Sequence, residues 1–318
     1  MFNYYFRDGP WAWCRAARRC LSRQARALRS EVPSRTFFSR DMGCYTRSSA
    51  LGPCPEIQAT KGVEMGELWL CRFASRPHSR LRLLCFPHAG GSAAIFRGWT
   101  DALPDLDVCA VQLPGRAARH REQPLTSISA IVEALIPALK SELDRPYAVF
   151  GHSMGAVLAL EVARAAAASG IEGPAHVFLS ARRPPHLPRP EEDIHRLPDD
   201  AFVKALSARY GGVPAEVLRE PDLLALFLPA LRADMTALET FASPEAEPLT
   251  CPLTVLGGDE DRLVSLDQLR GWRRYTTGAF RVKQFRGGHF YVNDVRAELV
   301  SDVSQALTPL LASAGIAS

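Results

Sequence analysis

Long apolar runs are missing from this 318-residue chain, which argues against a membrane-spanning helix: no stretch reaches the ~20 apolar residues that a transmembrane helix requires. The opening MFNYYFRDGPWAWCRAARRC also lacks the uninterrupted apolar centre of a secretory signal, so a cytoplasmic protein is expected. Histidine is absent before His78, and none of the eight cysteines pairs with another at zinc-ligand spacing. No metal site is therefore expected. Cys85 and Cys109 sit in apolar runs and read as small buried hydrophobes in a reducing compartment.

Excess charge is scarce beyond the first segment. Residues 1–64 hold 11 Lys/Arg against 5 Asp/Glu, whereas the rest of the chain holds 27 against 29, which leaves no electrostatic footprint for nucleic acid. The stretch Trp11 to Arg29 has the Arg-rich, acid-poor composition of an organellar transit peptide. A plainer reading is favoured. Met65 opens MGELWLCRFASRP just before the first clear strand, so residues 1–64 are expected to be an extension with little folded structure or a misassigned start.

What the chain does have, from Leu81 onward, is the rhythm of a mostly parallel sheet with crossover helices, an α/β fold. The expected strands are Leu81 to Phe86, Val108 to Gln112, Tyr147 to Phe150, His176 to Ser180, Leu253 to Leu256 and Arg281 to Phe285; several are continuously apolar, as strands covered on both faces are. Ile128 to Leu143 and Met154 to Ser169 read as helices. About seventy residues then separate Ser180 from Leu253, far more than a crossover needs. This insertion begins with the Pro-rich ARRPPHLPRPEED. It continues with two apolar stripes, Phe202, Ala205, Leu206 and Tyr210, then Leu223, Leu224, Phe227, Leu228 and Leu231. We expect a helical lid at about residues 186–243, with its second helix kinked or divided at Pro229.

Gly151-His-Ser153-Met-Gly155 joins an apolar strand directly to an Ala-rich helix, the context of a nucleophile elbow. Its glycines allow close backbone approach while Ser153 occupies a strained turn. A serine hydroxyl needs a base, and the base an orienting carboxylate, in the chain order Ser, acid, His. His289 follows the last strand after two glycines, where a loop returns the imidazole over the sheet edge. The acid should follow Leu253 to Leu256, where Asp259, Glu260 and Asp261 compete; Asp259 and Glu260 can equally solvate or cap a turn. For the oxyanion, Met154 N–H is one expected donor and Ala89 N–H, in Phe86-Pro-His-Ala-Gly-Gly91, the second. His88 and His152 adjoin these residues and are expected to shape the loop and elbow. Arg116, Arg119 and Arg121, with His120, form a basic run that suits either a solvated loop or an acidic partner.

Taken in order, Phe86-Pro-His-Ala-Gly-Gly, Leu113-Pro-Gly-Arg116, Gly151-His-Ser-Met-Gly-Ala156, Leu231-Arg-Ala-Asp234 and Gly287-Gly-His-Phe290 resemble the type II thioesterases, from about Leu81 to Leu311. The resemblance implies an α/β-hydrolase domain over residues 65–318 that clears acyl groups from the phosphopantetheine arm of carrier proteins in polyketide or nonribosomal peptide synthesis. It favours Asp261 as the acid, counted from Gly258, beside Ser153 and His289. The carrier protein would be the partner, the enzyme a monomer, and no cofactor is implied, since the pantetheine belongs to the substrate. Carboxylesterase action, product release and non-catalytic acyl binding on the same fold are the competing expectations.

Overall fold

Leu, Val, Phe and Cys crowd several short runs of this chain, and such runs reach low free energy only when both faces are covered. The computed structural model describes residues 69–211 and 220–313, so the expected extension, residues 1–64, lies outside the described residues. Its first half holds β1 (Leu70–Cys71), β2 (Leu81–Phe86), α1 (Arg97–Ala102), β3 (Leu106–Val111), α2 (Ile128–Glu142) and β4 (Tyr147–His152). Next come α3 (Met154–Ala168), β5 (His176–Ser180), α4 (Asp199–Tyr210) and α5 (Pro221–Glu239). The chain closes with β6 (Leu253–Gly258), α6 (Leu266–Arg270), β7 (Phe280–Phe285), α7 (Tyr291–Asp294) and α8 (Arg296–Ser313). The strands form one sheet in the order β1-β3-β2-β4-β5-β6-β7, all parallel except β1.

Side chains alternate across this sheet into two cores. In β2, Leu84 and Phe86 join residues of α2 and α3, while Leu81, Leu83 and Cys85 join Trp99 of α1 and Leu299 and Val303 of α8. β2 to β6 are thereby buried on both sides, whereas β7, at the sheet edge, is only partly covered.

Several boundaries differ from the sequence reading, each for a physical reason. β1 escaped it because two residues carry no periodicity; Leu70 pairs with Val111 at the sheet edge. β3 spans Leu106–Val111 rather than Val108–Gln112, because Asp107, polar in sequence, lies opposite Arg82 in the ladder and accepts its Nε–H at 2.8 Å. β4 continues to His152 and β6 to Gly258, since the elbow and the glycines still pair with the next strand. α5 is not divided: it runs 19 residues through Pro229. Pro229 and Ala225 are exposed, so the carbonyl that loses its amide partner lies on the solvent side. Among the described residues no helix is long and apolar enough to cross a membrane. Cys71, Cys85, Cys109 and Cys251 are free thiols, and burial pushes those of Cys85 and Cys109 up, the latter to about 12.

Candidate active site

Ser153 stands between the last residue of β4 and the first of α3 with φ 55° and ψ −110°, a left-handed conformation that costs an L-residue about 1–3 kcal/mol. Packing forces the glycines on either side. A Cβ on Gly151 would lie 1.9 Å from Gly155 O, and one on Gly155 would lie 2.1 Å from Phe86 O. The Ser153 amide donates to Ser180 O at 2.8 Å, which ties the elbow to β5.

The His289 loop is tied just as tightly. A Cβ on Gly258 would lie 2.2 Å from Gly287 O, so bare backbone lets the loop after β7 press against the loop after β6. Asp259 N–H donates to Phe285 O, Glu260 N–H to Gly287 O, and Gly287 N–H returns a bond to Asp259 Oδ1. Asp261 is left facing the imidazole: its Oδ2 lies 2.9 Å from His289 Nδ1, and its Oδ1 accepts Leu263 N–H at 2.8 Å. His289 Nε2 lies 3.1 Å from Ser153 Oγ. The Asp261 side chain is fully buried and accepts only, so Nδ1 carries the hydrogen and Nε2 offers a lone pair to the Ser153 hydroxyl. The three groups form one hydrogen-bonded line, with Asp259 serving the turn beside it.

The two flanking histidines belong to other networks. His152 Nδ1 lies 2.8 Å from Ser180 Oγ, which lies 2.7 Å from Tyr291 OH, and burial holds His152 well below the usual histidine range. His88 Nδ1 donates to Ala89 O and its ring packs edge-on against Phe290; burial lowers it too. Both are neutral, and neither bonds Ser153.

The loop after β2 presents its amides unequally. Gly91 N–H donates to His88 O, and Gly90 N–H donates to Asp234 Oδ2 at 2.7 Å. The amide of Ala89 has no partner among the described residues, and Ala89 lines a cleft with Ser153. Met154 opens α3, so its amide has no carbonyl one turn back. Two unsatisfied donors therefore flank Ser153.

Asp234, which closes the motif Leu231-Arg-Ala-Asp234 and has no role assigned to it in the sequence, is a functional residue of the site. It lies on α5, is fully buried, and receives both terminal nitrogens of Arg116, Nη2 at 2.7 Å from Oδ1. Arg116 also donates to Gly91 O and Pro114 O, so one buried ion pair joins the insertion, the loop after β3 and the Ala89 loop. A sequence signal existed: Phe227, Leu231, Asp234 and Leu238 share one helical stripe, and only one of them is charged. This corrects the reading of the basic run. Arg116 and Arg119 are buried; Arg119 pairs with Glu122 and stacks over Trp69, and only His120 and Arg121 face solvent.

Above Ser153, α4 and α5 complete a cleft of about 780 Å³ whose walls include Leu206, Leu224, Phe227, Leu228, Leu231 and Met235. Elsewhere Asp193, His195 and Glu239 approach within metal-ligating reach of one another. Glu239 is already saturated by the amides of Ile194 and His195, His195 Nδ1 and the nearby Arg189 and Arg209, so the cluster is an ion-pair knot.

A mostly parallel sheet carrying a serine on a strained strand-to-helix turn, with the histidine and acid on the loops after its last two strands, defines the α/β-hydrolase class. The family model described as "Thioesterase domain" matches residues 81–307. The chain is 35% identical over 245 residues to the gramicidin S biosynthesis protein GrsT of Aneurinibacillus migulanus, covering 77% of this chain and 95% of GrsT. It is 39% identical over 242 residues to the thioesterase PikA5 of Streptomyces venezuelae, covering 76% of this chain and 85% of that one. Among solved structures, the type II thioesterase BorB from the borrelidin biosynthetic cluster superposes with a TM-score of 0.70 at 35% identity, covering 78% of this chain and all of BorB. The chain belongs to the thioesterase family, in its type II group, and is a hydrolase of thioesters.

Proposed function

We propose that this enzyme hydrolyses acyl groups from the phosphopantetheine arm of acyl or peptidyl carrier proteins, and so clears misprimed or stalled synthases. The observation that carries the mechanism is the line Asp261, His289, Ser153 beneath an apolar cleft. His289 Nε2 takes the hydroxyl proton as Ser153 Oγ attacks the thioester carbon, and Asp261 stabilises the imidazolium. The amides of Ala89 and Met154 receive the developing oxyanion. Collapse expels the thiolate, which takes the proton from His289; water activated by the same imidazole then hydrolyses acyl-Ser153. The chain supplies each of these groups, so the reading requires no metal or resident cofactor.

The α4/α5 insertion acts as the lid, and its apolar stripe accepts the acyl chain. The free buried thiols suit the cytoplasm, where carrier proteins reside, and the enzyme works as a monomer. The test compares acyl-carrier protein with simple oxygen esters of the same acyl group, and follows Ser153 by mass. The expected result is preference for the carrier thioester, an acyl adduct on Ser153, and a loss of at least about 10⁴-fold in Ser153→Ala. Preference for oxygen esters, with carrier-bound acyl groups untouched, overturns the proposal.

A further inference from the structure

A second cleft, of about 440 Å³, shares Tyr210, Met235 and Leu238 with the apolar one and is lined on the sheet side by His289. Its character is opposite: Arg182, Arg183, Arg189 and Arg209 all line it. Three of these cations are matched by carboxylates. Arg183 forms a two-bond pair with Glu191 at 2.7 and 2.9 Å, Arg189 pairs with Asp193, and Arg189 and Arg209 both approach Glu239. Arg182 is different. Among the described residues its guanidinium has no hydrogen-bond or ion-pair partner, and its charged surroundings are Arg183, Arg189, Glu191 and the Tyr210 hydroxyl. Arg182 is half-buried, and desolvation in the cleft lowers its pKa.

The backbone of Arg182 is well fixed beside the reacting groups. Ser180 O accepts the Ser153 amide, Ala181 N–H donates to Leu256 O, and Trp272 Nε1–H donates to Arg182 O at 2.6 Å. A half-buried cation without a hydrogen-bond or ion-pair partner, held at a sheet end, gains a charge-assisted bond once an anion enters. Mechanism says which part of the substrate enters. The imidazole that deprotonates the serine delivers that proton to the leaving atom, so the leaving group departs past His289 Nε2. The cleft lined by Ser153 and Ala89 then holds the acyl chain, and the cleft lined by His289 holds the leaving thiol and its arm.

We propose that Arg182 and its cleft form a subsite for an anionic group on the leaving thiol: a phosphate ester at the far end of a flexible, amide-containing arm. A guanidinium fork matches phosphate oxygens two at a time, and a matched pair needs no acidic side chain of the protein beside it. This rests on the carrier-thioester reading above and extends it to a named residue.

The test uses one acyl group on three thiols: N-acetylcysteamine, pantetheine and 4′-phosphopantetheine, with wild type, Arg182→Gln and Arg182→Lys. Wild type is expected to favour the phosphorylated thiol over pantetheine by about tenfold in kcat/KM, roughly one charge-assisted hydrogen bond. Arg182→Gln should erase that preference through KM, while the N-acetylcysteamine thioester, which lacks the phosphate, changes no more than about twofold. Arg182→Lys should keep part of the preference, because a point charge remains. The proposal is overturned if Arg182→Gln retains the preference, or if all three substrates fall equally, which marks a structural role. It is also overturned if the variant alters discrimination between malonyl and acetyl N-acetylcysteamine instead, since the anion would then belong to the acyl side. A wild type that cleaves thioesters with indifference to phosphate sinks the subsite alone; one that cleaves oxygen esters and no thioester sinks the parent reading.

Discussion

On the sheet side of the cleft, Ser153, His289 and Asp261 are placed by backbone: a strained turn, two loops hydrogen-bonded to each other, and glycines whose Cβ atoms would overlap neighbouring carbonyls. On the helical side, α4 and α5 meet the same cleft through Leu, Phe and Met side chains, whose attraction is non-directional. One buried ion pair, Asp234 with Arg116, crosses between the two. The contrast separates two demands. Proton transfer fails when geometry slips by an ångström, so it is built where no side chain can relax; accommodation of a chain tolerates adjustment, so it is built from side chains that can.

The sharpest test of this division lies on the sheet side, where two aspartates two residues apart should behave differently. Asp261→Asn keeps the shape but loses the acceptor that fixes the His289 tautomer, and kcat should fall by about 10⁴-fold. Asp259→Asn retains an oxygen for the Gly287 amide and should stay within about tenfold. Equal losses in the two variants would place the acid role wrongly. The ion pair between the walls comes next. Asp234→Ala leaves Arg116 buried without a counter-charge and should cost about 3–5 kcal/mol, seen in urea unfolding. The double variant Arg116→Met with Asp234→Leu should recover much of that stability and little of the activity, because the Gly90 amide loses its acceptor. If activity returns together with stability, Asp234 supports the fold and not the loop.

How much of this was readable beforehand follows the same division. Six of the seven strands, the elbow and the late histidine left marks in the sequence because each requires small residues or apolar runs at fixed places: Gly151 and Gly155, Gly287 and Gly288, Leu81 to Phe86. The choice among Asp259, Glu260 and Asp261 was not readable from the residues themselves. It depends on which carboxylate the paired loops turn toward the imidazole, a matter of bonds such as Glu260 N–H to Gly287 O. Charged residues whose partners lie far along the chain were the hardest: Asp107 with Arg82 moved a strand boundary, and Arg116 with Asp234, 118 residues apart, turned an apparent surface run into a buried anchor. The division expected at Pro229 fails for a different reason. Local propensity marks a break, yet the carbonyl it orphans is on the wet face of α5, where water replaces the missing donor.

Acid should act on the sheet side first. His88, His152 and His176 are all depressed by burial, His176 to about 4, with Arg281 adding to the effect; α4 and α5 contain no histidine. The unfolded chain takes up these protons near pH 6.5 and the folded one does not, so the unfolded state binds more protons below that pH. Stability is therefore full above about pH 6.5 and falls as pH drops toward 4, by up to about 1.4 kcal/mol per pH unit for each histidine. Urea midpoints at pH 7 and 5 measure the slope, and His176→Gln should reduce it. A slope unchanged in that variant would assign the acid sensitivity to other groups.

The smallest expected effect is on the helical side, and it bears most directly on whether that wall is a matter of shape alone. Leu224 of α5 is half-buried and lines the cleft proposed above for the acyl chain. Leu224→Ala removes about three carbons of wall, and small apolar changes of this kind shift discrimination by about 1–3 kcal/mol at most. Hydrolysis of a two-carbon acyl thioester should lose severalfold in kcat/KM, nearly all of it in KM, because fewer wall atoms grip a short chain. An eight-carbon acyl thioester should hold level or gain, so the ratio between them moves by about tenfold toward the longer chain. A wall of this kind alters binding and leaves kcat alone. If kcat instead falls equally for both lengths, α5 is setting the position of the Ala89 loop through Asp234 and Leu231, and the two walls act as one device.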